Sequence, residues 1–152
     1  MNGTSVSSLV DVARRTGLLD PRRIPALTAA ITRWGPTLAA PYAASALATP
    51  NRVAVIDDRG TITCRELDRK STLLAGGLRR LGLDRGARLG VACRNHREFV
   101  EATIAAAKLG VSVVYLNTGF AAPQMRDVLE REQVDVLVID AELVELVDRS
   151  VF

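Results

Sequence analysis

The sequence has few of the residues that build metal sites and disulfide frameworks. Its 152 residues include two cysteines, Cys64 and Cys93, and a single histidine, His96. The cysteines are too far apart in the chain to form a CxxC pair, and one histidine leaves a metal ion short of ligands. The sequence therefore predicts two reduced thiols and no metal site.

Aromatic residues and long basic or apolar runs are also scarce. Aromatic side chains make up 4% of the chain, and the net charge is +3 with no long basic run. The chain lacks the interleaved basic and aromatic residues that bind single-stranded nucleic acid, so we expect no nucleic-acid partner. No apolar run approaches the ~20 residues that span a bilayer. The N-terminal charges follow the apolar stretch, opposite to a secretory signal, so we expect a cytoplasmic protein.

Residues 1–50 are rich in alanine, proline and arginine, which predicts an N-terminal arm of short helices broken at prolines. Apolar residues at helical spacing between Val6 and Ala13 predict an amphipathic helix. Arginines flank it at positions 14, 15, 22 and 23. Two interpretations of this arm remain open. One is a peripheral membrane contact; the other is a solvated arginine cluster that packs on its own protein or on a second subunit.

Residues 51–152 show the pattern of one α/β unit. Val53–Ile56 and Thr61–Thr63 flank a turn and predict a β-hairpin. The helix that follows has Thr63 and Glu66 at capping-box spacing and ends at Gly82. Three apolar strands then alternate with helices: Arg88–Cys93, Val111–Leu116 and Val134–Ile139, with a last helix from about Ala141. Because buried apolar strands joined by helices form parallel sheets, we expect an α/β fold with a βαβαβ parallel sheet flanked by helices.

Polar residues follow two of the predicted parallel strands, at the edge where open α/β sheets bind ligands. Asn95 and His96 follow the first of these strands, and Asn117 and Thr118 follow the second. These four are the candidate cleft residues. His96 suits acid–base or ligand contact; the alternative is an exposed first-turn residue of a helix that Asn95 caps. Asn117 and Thr118 either line an acyl or nucleotide cleft or are loop residues before the next helix.

Four segments resemble, in the same order, the core motifs of adenylate-forming (acyl-activating) enzymes. Thr61–Leu67 is similar to the family's Thr-Tyr-x-Glu-Leu motif, and Ala107–Asn117 to its Leu-Lys-Ala-Gly-x-x-x-x-Pro-Leu-Asn motif. Leu78–Leu89 resembles the LxxxGxxxGDxV passage between them, and Pro50–Ala54 the segment before the hairpin. Their order and spacing agree over roughly residues 42–140, which is stronger than any lone glycine motif.

Within this superfamily, Arg94–Phe99 and Leu116–Phe120 are most similar to bacterial, especially actinobacterial, fatty-acyl-CoA synthetases. The resemblance implies a reaction in two steps. A carboxylate attacks the α-phosphate of ATP to form acyl-AMP, with Mg²⁺ offsetting the phosphate charge, and the CoA thiol then displaces AMP. It therefore implies a fatty acid as substrate and ATP, CoA and Mg²⁺ as cofactors of the whole enzyme.

The groups that this chemistry needs are not found in the sequence. The family cradles phosphates with a Gly/Ser/Thr-rich loop and a lysine, whereas Lys70 and Lys108 lie in predicted helices. We therefore expect the N-terminal part of such an enzyme, ending before the phosphate loop, with no catalytic residue, no bound cofactor and no activity alone. A truncated sheet exposes apolar surface, so we also expect self-association. Two alternatives remain open: a non-catalytic scaffold derived from such a domain, and part of an amino-acid-activating enzyme.

Overall fold

The computed structural model describes residues 23–147. The predicted helix between Val6 and Ala13, and the arginines at positions 14, 15 and 22, lie outside the described residues. The elements in chain order are α1 (Ile24–Trp34), α2 (Ala39–Ala48), β1 (Val53–Asp57), β2 (Gly60–Thr63), α3 (Cys64–Arg80), β3 (Arg88–Ala92), α4 (Arg97–Leu109), β4 (Ser112–Tyr115), α5 (Ala122–Arg131), β5 (Val136–Ile139) and a 3-10 helix (Ala141–Leu146).

The strands form the two predicted sheets. β1 and β2 make an antiparallel hairpin that turns between Asp57 and Gly60, where Gly60 has a φ of +99°. β3, β4 and β5 make a parallel sheet in the order β4-β3-β5. Leu89 of β3 lies opposite Val113 on one side and Val136 on the other. The α/β fold, with a hairpin followed by a βαβαβ unit, is therefore confirmed.

Both faces of the parallel sheet are covered, as its apolar strands predict. Leu89 and Val91 of β3 face a core built with α3 and α4, whereas Gly90 faces the layer that contains α5. A Cβ at Gly90 would lie 2.9 Å from side-chain atoms of both Leu137 and Val134. That separation is well below the ~3.5–4.0 Å of an ordinary carbon contact, so the position admits only glycine without rearrangement.

Local signals determine both ends of α3. At its start, the Glu66 N–H donates to the Thr63 hydroxyl at 3.3 Å, and the Thr63 N–H donates to the Glu66 carboxylate at 2.8 Å. The predicted capping box is therefore confirmed. At its end, Gly82 adopts a φ of +93° and the Leu83 N–H donates to Leu78 O at 3.1 Å. The chain turns back at this point, and Leu83 is fully buried.

The start of α4 differs from the prediction, because Asn95 does not cap this helix. The N-cap residue is His96, whose side chain makes no capping hydrogen bond. The Asp57 carboxylate, at the end of β1, accepts the Arg97 N–H at 3.0 Å from a position 40 residues away in the chain. A distant side chain thus satisfies one of the N–H groups that a helix leaves unpaired at its N-terminus.

The last predicted helix is a 3-10 helix rather than an α-helix. Leu143 N–H donates to Asp140 O at 2.9 Å, the i→i+3 pattern of this helix type. The Asp140 carboxylate accepts the Arg94 N–H at 2.8 Å and contacts His96, so it does not cap the segment.

The helices before the hairpin pack on each other and on the α/β unit. α1 and α2 meet through small side chains, mainly those of Ala30, Ala40 and Ala43. The Trp34 ring at the end of α1 lies 5.3 Å from the Lys108 amine of α4. Among residues 23–147, no helix combines the length and the apolar character that crossing a bilayer requires.

Candidate functional site

The carboxyl ends of the parallel strands border a cavity of about 390 Å³. Strands that run in the same direction bring their carboxyl ends to one edge of the sheet, where open α/β sheets bind ligands. Three of the four predicted cleft residues, Asn95, Asn117 and Thr118, are brought together here. The full lining is Cys93, Arg94, Asn95, Phe99, Leu116, Asn117 and Thr118.

The rim of this cavity offers neutral polar groups held by short-range hydrogen bonds. The Asn117 side-chain oxygen accepts the Gly119 N–H at 2.9 Å, which shapes the loop after β4. The Arg94 guanidinium pairs with the Glu142 carboxylate, so its charge is compensated. The remaining donors and acceptors are amides and a hydroxyl. The arrangement is suited to hydrogen bonding a neutral polar group and contains no acid–base pair.

His96, the fourth predicted residue, does not line this cavity. Its Nε2 lies 2.9 Å from Asp140 Oδ1, and its Nδ1 lies 2.9 Å from Glu98 Oε2, although the second contact is not aligned as a hydrogen bond. With Asn95 it borders a smaller apolar cavity of about 220 Å³ beside β1. Through its contact with Asp140, His96 therefore links the start of α4 to the end of β5.

The two carboxylates beside His96 are held in their ionised form. Burial opposes ionisation of Asp140, but hydrogen bonds from the Arg94 N–H and from His96 lower its pKa below the ordinary value. Burial likewise opposes ionisation of Glu98, and the hydrogen bond from Arg59 lowers the pKa of Glu98. The imidazole thus lies between two negative charges.

The thiol in the cavity wall is held in its neutral form. Burial, reinforced by the nearby charge of Asp140, raises the pKa of Cys93 to about 12. Since the thiolate is the nucleophilic form of cysteine, the neutral Cys93 packs as a small apolar residue.

A second ion-pair cluster fastens the hairpin to α4, and sequence reasoning missed it. Arg97 Nε donates to Asp57 Oδ2 at 2.8 Å. Hydrogen bonds from Arg97 hold the pKa of Asp57 well below its usual range, against the opposing effect of burial. Arg59 of the hairpin turn pairs with Glu98. These partners are 40 and 39 residues apart in sequence, so no local spacing signals them.

Lys108 is also engaged in a way that the sequence did not reveal. Its side chain is fully buried, and Nζ lies 2.7 Å from Asp68 Oδ1. The amine also donates to the hydroxyls of Ser71 at 2.9 Å and Thr72 at 2.7 Å. Burial lowers the pKa of Lys108, and the Asp68 carboxylate opposes that shift. The contacts place this lysine in the packing of α3 against α4, away from the cavity.

The described residues do not fit a nucleoside triphosphate or its metal ion. Over residues 23–147, no three histidine, cysteine, aspartate or glutamate side chains are grouped to hold a metal. The other lysine, Lys70, lies on α3 with its amine 3.5 Å from Glu101 Oε1, so neither lysine lies in a glycine-rich loop. We therefore assign no step through ATP, CoA or Mg²⁺ to residues of this chain.

Comparison with known protein families matches residues 42–151 to the AMP-binding enzymes. The chain belongs to this family. This membership confirms the resemblance to adenylate-forming enzymes that the motifs between Pro50 and Asn117 indicate. The chain spans between 1% and 17% of the length of the curated AMP-binding relatives that it matches.

Three AMP-binding relatives illustrate the range of the family. Over 91 residues the chain is 31% identical to a medium/long-chain-fatty-acid–CoA/3-oxocholest-4-en-26-oate–CoA ligase of Mycobacterium tuberculosis, covering 60% of this chain and 17% of that protein. A structure of VinN with 3-methylaspartate is 32% identical, with a TM-score of 0.68 over 72% of this chain and 31% of that one. The o-succinylbenzoate CoA synthetase of Bacillus subtilis in complex with AMP is 27% identical, with a TM-score of 0.65 over 73% and 28% of the two chains.

Proposed function

We propose that this chain forms part of an ATP-dependent ligase that joins a fatty acid to CoA through an acyl-AMP intermediate. The observation that carries the proposal is the match of residues 42–151 to the AMP-binding enzymes. The likeness to the mycobacterial medium/long-chain-fatty-acid–CoA ligase favours a fatty acid as the substrate. ATP, CoA and Mg²⁺ are the cofactors that we propose for the whole enzyme.

Within that enzyme, we assign residues 1–50 to a helical arm and residues 51–152 to part of the α/β domain. The cavity at the carboxyl edge of the sheet faces the ligand cleft, with Asn95, Asn117 and Thr118 supplying amide and hydroxyl contacts. His96 positions the loop before α4 through its contact with Asp140. No residue of the chain is assigned a catalytic role, because the cavity rim contains neither an acid–base pair nor a lysine.

A second candidate is activation of an amino acid, which the likeness to VinN in complex with 3-methylaspartate favours. Both candidates share the adenylation step and differ in the acid that is activated. A non-catalytic scaffold is the third, and it differs from both because no adenylation would follow when the chain is joined to the remainder of an enzyme.

Exchange of pyrophosphate into ATP separates these candidates. Two chimeras carry this chain in place of the matching segment, one of the mycobacterial ligase and one of VinN. We expect no exchange by the chain alone and fatty-acid-dependent exchange by the ligase chimera. Exchange by the chain alone would refute the assignment of catalysis to other segments. Activity only in the VinN background favours amino-acid activation, and two folded but inactive chimeras favour the scaffold.

A matched pair of threonine substitutions tests the cavity. Thr118→Val removes a hydroxyl from the cavity lining. The control, Thr61→Val, makes the same substitution at an exposed position of the hairpin. In the ligase chimera we expect Thr118→Val to raise KM for the acid or for ATP about 3–10-fold, as the loss of one hydrogen bond predicts. Thr61→Val leaves KM unchanged. Equal effects of the two substitutions would contradict the assignment of the cavity to the ligand cleft.

We also propose that the chain self-associates through the outer edge of β5. Within the part of the chain that the structure describes, this strand has a neighbour on one side only, and an apolar groove of about 370 Å³ runs beside it. Leu81 and Val144 line the groove and are 72% and 40% exposed. Sedimentation velocity at rising concentration should show dimers that Leu81→Lys abolishes, while Ile56→Lys, on the hairpin, has no effect. A monomer at all concentrations would refute this proposal.

A further inference from the structure

The outward face of α3 carries four exposed arginines. Arg65, Arg69, Arg79 and Arg80 are exposed, and Leu73 between them is 63% exposed. At 3.6 residues per turn, these five positions fall within a sector of about 120° on the helix. We call this surface the arginine face.

Within residues 23–147, the charges of the arginine face are compensated only in small part. Over residues 23–147, none of its four guanidinium groups forms an ion pair, in contrast to those of Arg59 and Arg97. Of the two acidic side chains of α3, only Glu66 interacts with an arginine of this face, Arg69. Asp68 pairs with the buried amine of Lys108, and Glu66 closes the capping box at the start of the helix. The face therefore presents four positive charges against one local counter-charge, that of Glu66 beside Arg69.

We propose that the arginine face binds an anionic membrane surface. Arg65 and Arg80 are separated by about 22 Å along the helix axis, so no single phosphate group contacts both. A flat array of lipid headgroups matches an extended positive face in charge and in shape. The exposed Leu73 lies between the arginines and enters the boundary between headgroups and acyl chains, where an apolar side chain is favoured.

The exposed Leu73 also favours a membrane over nucleic acid as the partner of this face. A phosphate backbone attracts the same arginines, but it offers an apolar side chain nothing to contact. The proposal stands on α3 alone and does not depend on the ligase assignment. A membrane contact at this face would bring a ligase to an acid that is dissolved in lipid.

The magnitude follows from the number of arginines. Each basic residue held near an anionic leaflet strengthens binding by roughly fivefold at physiological salt. Four arginines together therefore account for several hundredfold. The attraction falls off over about 8 Å at physiological ionic strength, so arginines elsewhere on the protein contribute much less.

The test measures partitioning of the 152-residue chain onto lipid vesicles by flotation. One set is phosphatidylcholine alone, and the other contains about 30 mol% phosphatidylserine, an anionic composition. The test variant replaces the four arginines of the face by glutamine. The control variant removes the same amount of charge at four other exposed positions: Arg85, Arg94, Arg126 and Arg131. Trp34 fluorescence checks that each variant is folded.

We expect wild-type chain to bind the anionic vesicles only, the test variant to bind at least about 100-fold more weakly, and the control to lose less than about 10-fold. Leu73→Gln should also weaken binding to the anionic vesicles, although it leaves the net charge of the chain unchanged. Equal losses in the two arginine variants would overturn the proposal, as would absence of binding by the wild type. Binding retained by the test variant would assign the contact to the arginines at positions 14, 15, 22 and 23 instead. Tighter, arginine-dependent binding to duplex DNA at the same salt would assign the face to nucleic acid.

Discussion

Replacing Lys108 by methionine removes the charge at the centre of the α3–α4 contact and keeps most of the side-chain volume. The amine has no exposed surface and donates to the Asp68 carboxylate and to the hydroxyls of Ser71 and Thr72. Methionine leaves the carboxylate without its cation. The hydroxyls lose less, because each also donates to a carbonyl oxygen of α3.

The loss of stability depends on how exposed the Asp68 carboxylate is once its cation has been removed. Removing one member of a buried ion pair costs about 3–5 kcal/mol, because the remaining charge stays buried and unpaired. The Asp68 side chain is 32% exposed, so water replaces part of the lost interaction. We therefore expect Lys108→Met to lower the free energy of unfolding by about 2–4 kcal/mol, out of the ~5–15 kcal/mol of an ordinary domain.

Urea unfolding followed by tryptophan fluorescence measures this change. Trp34 is the only tryptophan, and its ring lies 5.3 Å from the Lys108 amine, so it reports on the site itself. With a slope of about 2 kcal/mol per molar urea, the unfolding midpoint should fall by roughly 1–2 M. Adding Asp68→Asn removes the stranded charge and should recover at least about 1 kcal/mol. Arg131→Met, which breaks the exposed pair with Glu132, should cost less than about 1 kcal/mol.

A loss of stability for Lys108→Met no larger than that for Arg131→Met would contradict a stabilising buried ion pair. So would a double variant in which Asp68→Asn adds its own cost to that of Lys108→Met. Additive costs would mean that the two side chains do not stabilise each other and that the amine is tolerated for its packing alone.

Three further predictions concern other parts of the structure. Asp57 has a depressed pKa in the folded chain, so its contribution to stability is present above about pH 4 and lost as the pH falls. The difference in unfolding free energy between wild type and Asp57→Asn should therefore shrink below that pH, and a constant difference would contradict this. Cys93, with its pKa raised to about 12, and the buried Cys64 should not react with a thiol reagent near pH 8 until denaturant is added; rapid labelling of the folded chain would be inconsistent with the structure. Gly90→Ala should cost about 1–3 kcal/mol through overlap with the α5 layer. Gly76→Ala, on α3 with only the end of an arginine side chain nearby at 3.9 Å, should instead stabilise by up to about 1 kcal/mol. Thermal unfolding compares the two, and equal signs would refute the packing argument.

Sequence patterns predicted the elements whose signals lie within one segment. The hairpin turn at Gly60, the capping box of Thr63 with Glu66, and the turn at Gly82 all depend on hydrogen bonds or dihedral angles a few residues apart. The same holds for α5, which has a proline in its first turn, where the missing N–H costs no hydrogen bond. Family motifs added the relationship to AMP-binding enzymes, since their order along the chain is itself a sequence property.

The candidate site was only partly predictable. Because the carboxyl ends of parallel strands share an edge, Asn95, Asn117 and Thr118 were expected to meet, and they line one cavity. His96 was grouped with them by position in the chain, but its contacts are with Asp140 and Glu98, away from that cavity. The direction in which its side chain points depends on partners up to 44 residues away, which no local pattern encodes.

The sequence by itself determined which segments form strands and helices, which positions require glycine in a turn, and to which family the chain is similar. Those properties depend on interactions within a few residues and on motif order. Tertiary structure alone decided the order β4-β3-β5, the capping of α4 by Asp57 and the burial of Lys108 beneath Asp68. Each of these brings together groups that are at least 24 residues apart, so each exists only after the helices and strands have packed.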